Sequence, residues 1–189
     1  MRVYRTSSLL ACAFLASCSA WLTFTPERAA IQALLTPDPL MGALIERVIN
    51  PDSVKVAQSQ PWQDSVAVLL TFNGTEEGFG QVDCLSLYTV TKERSTWSPH
   101  REGTGCWPAG GAGEVIQMHI GQRSGTDLPG VSHLAGLVYD ARVVAVEAHW
   151  GDGLVEKIEV IDGTFLQIRA GVHDPEQILP LDENGEQVQ

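Results

Sequence analysis

From Ser53 onward the chain repeats one pattern: short runs of β-branched and aromatic residues, cut by turns rich in Gly, Asp and Asn. "SVAVLLTFN" (65–73) ends at Asn73-Gly74. "RVVAVEAHW" (142–150) runs into Gly151-Asp152-Gly153 and is followed by a second run over 154–161. Asp162-Gly163 precedes "TFLQIRA" (164–170), and "DENG" (182–185) stands between 178–181 and 186–188. Residues 81–92, 114–120 and 133–139 are further runs of the same kind. Strands this short, punctuated by hairpin-type turns, predict antiparallel pairing and a β-sandwich or an open barrel. There is no glycine-rich phosphate loop and no strand–helix repeat, which argues against a doubly wound nucleotide fold.

Two short helices are expected ahead of the strands. Thr25-Pro26-Glu27 places a hydroxyl cap, a proline at the first helical position and an acid in the first turn. Ala29, Ala30, Ala33 and Leu34 follow at helical spacing. Asp38-Pro39 repeats the start signal, with Leu40, Leu44, Ile45 and Val48 as the apolar face and Asn50-Pro51 as the stop. The fold class is therefore mainly β, α+β overall. Residues 18–51 form an anchor with two helices, and 52–189 form the β domain.

The N-terminus is of a different kind. Arg2 and Arg5 precede an apolar run, Leu9 to Ala16, and small residues follow, the layout of a secretory signal peptide over 1–17. Leu15-Ala16-Ser17-Cys18 resembles the lipobox of bacterial lipoproteins. The resemblance implies cleavage before Cys18, a diacylglyceryl group on its sulfur, and a membrane-anchored, extracytoplasmic location in the cell envelope. Two other readings stay open. Signal peptidase could cut before Trp21, or residues 6–25 could remain as a spanning anchor of the minimum length.

Removal of residues 1–17 would take away Arg2 and Arg5, so 12 basic residues become 10 against 23 acidic, a net charge of −13. Such a surface repels phosphate backbones, so nucleic acid is not an expected partner. The expected partners are the membrane, through the lipidated N-terminus, and an envelope protein or carbohydrate ligand. In an exported chain the even pair Cys84 and Cys106 reads as a disulfide, closing a loop of roughly 20 residues and contributing on the order of 3 kcal/mol. Two free buried thiols are the alternative.

Residues 92–113, "KERSTWSPHREGTGCWPAGGAG", look least like scaffold. Their prolines and glycines predict an irregular loop. Trp97 and Trp107, with His100, are the candidate ligand-binding residues, because aromatic rings on a fixed loop can stack on sugars or grip a peptide. The competing reading folds both tryptophans back over an open end of the β domain.

No catalytic or metal residues are expected, and no cofactor. Gly130-Val131-Ser132-His133-Leu134 lacks the second glycine of a nucleophile elbow, and adjacent residues on a strand point to opposite faces. Glu147 and His149 share a strand face, but the opposite face (Val144, Val146, Ala148, Trp150) is apolar, so the pair is expected in solvent. The acidic turns at Asp152, Asp162 and 182–184 miss calcium-loop spacing and are explained by turn chemistry. The expected function is a non-catalytic binding or interaction module. The alternatives are an envelope hydrolase with an unmarked site and an assembly factor or inhibitor of another envelope protein.

Overall fold

A computed structural model describes residues 24–36, 47–124 and 130–189. Cys18 and the expected signal segment, 1–17, lie outside the described residues. The described chain is dominated by antiparallel strands: β1 (Arg47–Ile49), β2 (Lys55–Trp62), β3 (Ser65–Glu76), β4 (Gly80–Glu93), β5 (Thr96–Pro108), β6 (Ile116–Arg123), β7 (Val131–Val138), β8 (Ala145–Trp150), β9 (Val155–Glu159), β10 (Thr164–Ala170) and β11 (Pro175–Leu181). One helix, α1 (Pro26–Leu35), starts as its sequence requires. Thr25 Oγ1 accepts from the Arg28 N–H at 3.3 Å, and Pro26 stands at the first helical position. No helix among the described residues is long and apolar enough to cross a membrane.

The strands form three sheets, none closed on itself. The first runs β1-β3-β4-β5, with β2 also on β3; the second runs β10-β7-β6; the third runs β11-β8-β9. Period-2 alternation sorts their side chains into layers. On one face of the first sheet, Val68, Leu70, Phe72, Val82, Tyr88 and Val90 pack with Ala29, Ala30 and Leu34 of α1. On the other, Ala67, Leu69, Leu85 and Leu87 meet Val131, Ala135, Leu137, Leu166 and Ile168 of the second sheet. The far face of the second sheet sets Leu134 and Phe165 against Val146, Ala148, Trp150 and Ile158 of the third. The middle sheet is thus buried on both sides. This is why "VSHLAGLV" (131–138) reads as a run without alternation.

Three sequence expectations change. Residues 37–46 of the second expected helix lie outside the described residues, but its expected last turn, Arg47–Ile49, is β1, paired with Glu76, Thr75 and Gly74 of β3. The extended backbone that Pro51 favours before it suits a strand, and the open edge of β3 supplies the ladder. Asn73-Gly74 does not turn. β3 continues to Glu76, because Asn73 is held across the sheet by an Nδ2 hydrogen bond to Asp83 at 2.6 Å and by its N–H to Ser53 Oγ at 2.8 Å. Residues 96–108 are not a loop but a long strand, paired with β4 along its length. As the last strand of its sheet, β5 has one open edge, where proline costs no ladder bond.

Candidate functional site

The structure separates the three residues proposed as a ligand-binding group. Trp97 and Trp107 are ten positions apart and would share a face of a regular strand. A bulge intervenes: Leu87 faces Gly103 and Tyr88 faces Arg101, leaving Glu102 as an extra residue. The parity therefore flips. Trp97 packs with the helix-side core, with Lys92 Nζ 5.6 Å from its ring centroid, whereas Trp107 packs between the first and second sheets. His100 is exposed and stands opposite Thr89, on Trp107's face but roughly 20 Å along the strand. Both tryptophans serve as covers over core. Cys84 and Cys106 stand directly opposite each other, with Sγ atoms at bonding distance, 1.92 Å.

A cleft opens at one end of the interface between the first and second sheets. Lys55, Thr71, Asn73 and Asp83 line it from the first sheet and Tyr139, Asp162 and Thr164 from the second, around a volume of about 250 Å³. Asp83 is fixed from three sides. It accepts from Asn73 Nδ2 at 2.6 Å, from the Gly110 N–H at 2.8 Å and, at 3.5 Å, from the Tyr139 hydroxyl. Burial and the Asp83 charge push the Tyr139 hydroxyl up to about 12, so it stays a donor at any physiological pH. The turn over 110–113 makes this possible. Gly110, Gly111, Ala112 and Gly113 all have positive φ, and a Cβ on Gly111 would lie 2.6 Å from the Tyr139 ring. Tyr139 is also a wall of a second concavity of about 420 Å³, shared with Glu114, Asp140 and Gln189. There Arg142, by hydrogen bonding, holds the Asp140 carboxyl down at about 2.

Elsewhere in the same interface lies a buried polar seam. His133 is 1% exposed, and neither ring nitrogen has a hydrogen-bond partner. Its centroid is 5.3 Å from that of His119, edge to face. The backbone presses on both rings: a Cβ on Gly121 would fall 2.4 Å from His133 Nε2, and one on Gly103 only 1.7 Å from His119 Nε2. The bulge that flips β5 turns Glu102 into this seam. Its Oε1 accepts from Thr89 Oγ1 and pairs with Arg123 Nη1 at 3.1 Å, with the carboxylate side chain 1% exposed. Burial, then the positive charges of His119 and Arg123, push His133 down to about 4, and burial lowers His119 as well.

The remaining sequence candidates take ordinary positions. Ser132 is buried, donates to the Gly171 carbonyl at 3.0 Å and accepts from the His173 N–H at 2.7 Å, so it ties the 171–173 turn to β7. Glu147 and His149 share a face and bond at 2.7 Å, half exposed. Asp152 pairs with Arg169 at 2.6 Å, and Asp182 caps its turn through the N–H groups of Asn184 and Glu186. Among the described residues no three His, Cys, Asp or Glu side chains are placed to share a metal ion. Sequence reasoning missed both the cleft and the seam. The one available signal was glycine inside strands: Gly103 and Gly121 mark close backbone approach. No family model, curated protein or solved structure matches this chain.

Proposed function

We propose that the chain is an exported, lipid-anchored β-sandwich of the bacterial cell envelope, that it acts as a non-catalytic binding module, and that its ligand enters the cleft between the first two sheets. The observation that carries this reading is the fixed state of Asp83. Three donors orient one carboxylate in a concavity whose other rim groups, Lys55 and Asp162, are exposed and of opposite charge. Polar groups held in place before binding lower the ordering cost of recognition. The volume of about 250 Å³ lies below the roughly 300–1,000 Å³ of sites that enclose drug-sized molecules, which suits one small hydroxyl-rich or zwitterionic unit such as a sugar residue. The Cys18 motif supports the anchored location, and the acidic surface supports a ligand other than nucleic acid.

The test is a titration of the protein with envelope saccharides, followed by NMR amide shifts. Shifts centred on 71–73, 83 and 162–164, weakened at least tenfold in Lys55→Ala and Asp162→Ala, support the cleft. Shifts centred on Trp107 or His100 instead, or binding unchanged in both variants, overturn it. Intact mass of the membrane-extracted protein checks the anchor, because a chain beginning at Met1 rules out lipidation at Cys18.

A further inference from the structure

We propose that the seam between β5 and β6 is an acid-operated latch: protons taken up by His133 and His119 part the first sheet from the second at this corner, while the contact between the second and third sheets stays closed. The argument starts from what each charged form would meet. His133 projects from β7 toward the first sheet, on the same face as Val131, Ala135 and Leu137. From β6 it is faced by His119 and Arg123, and its opposite on that strand is Gly121. From β10 its opposite is Ile168, which carries no charge. From the first sheet come Thr89 on β4 and Glu102 on β5, with exposed His100 beyond. Arg169 and Asp152 do not take part, because Arg169 lies on the far face, over the Trp150 ring.

A proton on either imidazole therefore enters a corner that already holds the Arg123 guanidinium. The carboxylate within reach, Glu102, is committed through Oε1 to Thr89 and Arg123. The glycine contacts leave no side chain that could swing aside to admit water at Gly103 and Gly121. A charged His133 ring, with both nitrogens buried, can be solvated only if the backbones separate, whereas half-buried His119 adds its charge beside it. β5 is the last strand of its sheet and β6 the last of its own, and the seam is bridged by side chains alone, so separation here breaks no ladder. The apolar cluster joining the second and third sheets (Leu134, Phe165, Val146, Ala148, Trp150, Ile158) is flanked by two carboxylate contacts, Glu156 with Gln167 at 2.9 Å and Asp152 with Arg169 at 2.6 Å, and, among the described residues, by no buried histidine.

The experiment is hydrogen exchange of the full chain at pH 7 and pH 5, each amide corrected for intrinsic exchange and the same sample returned to pH 7. Amides of β5 and β6 should exchange at least tenfold faster at pH 5, reversibly, while those of β8 keep their protection. His133→Leu should abolish the acceleration. Equal acceleration in all three sheets, no acceleration, or acceleration that survives in His133→Leu overturns the latch. If His133→Leu does not fold, an NMR titration of the imidazole C2–H signals in the unmodified protein decides. A His133 proton uptake at the ordinary pH of about 6.5, with the seam still protected, overturns the proposal. Uptake displaced to lower pH and coincident with loss of seam protection supports it.

Discussion

The middle sheet has two buried faces, and they are built from different materials. Toward the third sheet it presents Leu134 and Phe165 to Trp150, Val146 and Ile158, an apolar contact whose stability comes from area removed from water. Toward the first sheet it presents Val131, Ala135 and Leu137 beside His133, with His119 and Arg123 alongside. Both faces are closed at neutral pH, but the second is closed only while its imidazoles are uncharged. One sheet can thus bury a histidine on one side and none on the other, because strand alternation sends neighbours in sequence to opposite environments. Leu134 and His133 are adjacent and share no chemistry.

The comparison can be broken most severely from the apolar side. Phe165→Ala should cost about 3–5 kcal/mol in denaturant unfolding, by lost transfer energy and a residual cavity, with the same loss at pH 7.5 and pH 5.5. On the polar side, Arg123→Met should cost about 3 kcal/mol at pH 7 by leaving Glu102 buried without its cation. In the same variant His133 should titrate at higher pH, read from its imidazole C2–H signal, once the neighbouring positive charge is gone.

The unmodified protein should itself lose stability with acid. His133 is held below its ordinary value, so the unfolded chain binds its proton first as pH falls. Stability is complete above about 6.5 and declines until the folded form also protonates near 4, a total of about 3 kcal/mol from this group. Unfolding free energies measured across that window check the sign, and a flat profile would contradict it. Replacing both Cys84 and Cys106 by Ser should cost about 3 kcal/mol with no pH dependence, because the pair sits in the helix-side core, away from the seam. Phe79→Ser is the control. Phe79 is 64% exposed at the β3–β4 turn and touches neither face of the middle sheet, so its effect should stay within about 0.5 kcal/mol.

Most strands were legible because their alternation and their turn residues are local properties. Residues 142–150 read as a strand for this reason, residues 133–139 as an unbroken apolar run bounded by turns, and Thr25-Pro26-Glu27 as a helix start. Residues 92–113 were misread because proline and glycine content is a local signal, whereas the tolerance of β5 for both comes from its place at a sheet edge. Residues 47–49 were misread because a helical spacing of Leu44 and Val48 does not reveal that β3 has an open edge to offer. Neither the cleft nor the seam was legible, since each joins residues far apart in sequence: Asp83 with Tyr139, and Glu102 with Arg123 and His133.

By itself the sequence determined a mainly antiparallel β chain, the capped helix start at Thr25-Pro26-Glu27 and an acidic composition, with Cys84 and Cys106 as a candidate disulfide pair. These follow from residue-level preferences that hold in any surroundings. Tertiary structure alone decided which strands are buried on two faces, how one extra residue at Glu102 sends Trp97 and Trp107 to opposite sides, and which histidine is shut away from water. Those depend on what a face is packed against, and a side chain's charge state follows from that packing rather than from its neighbours in the chain.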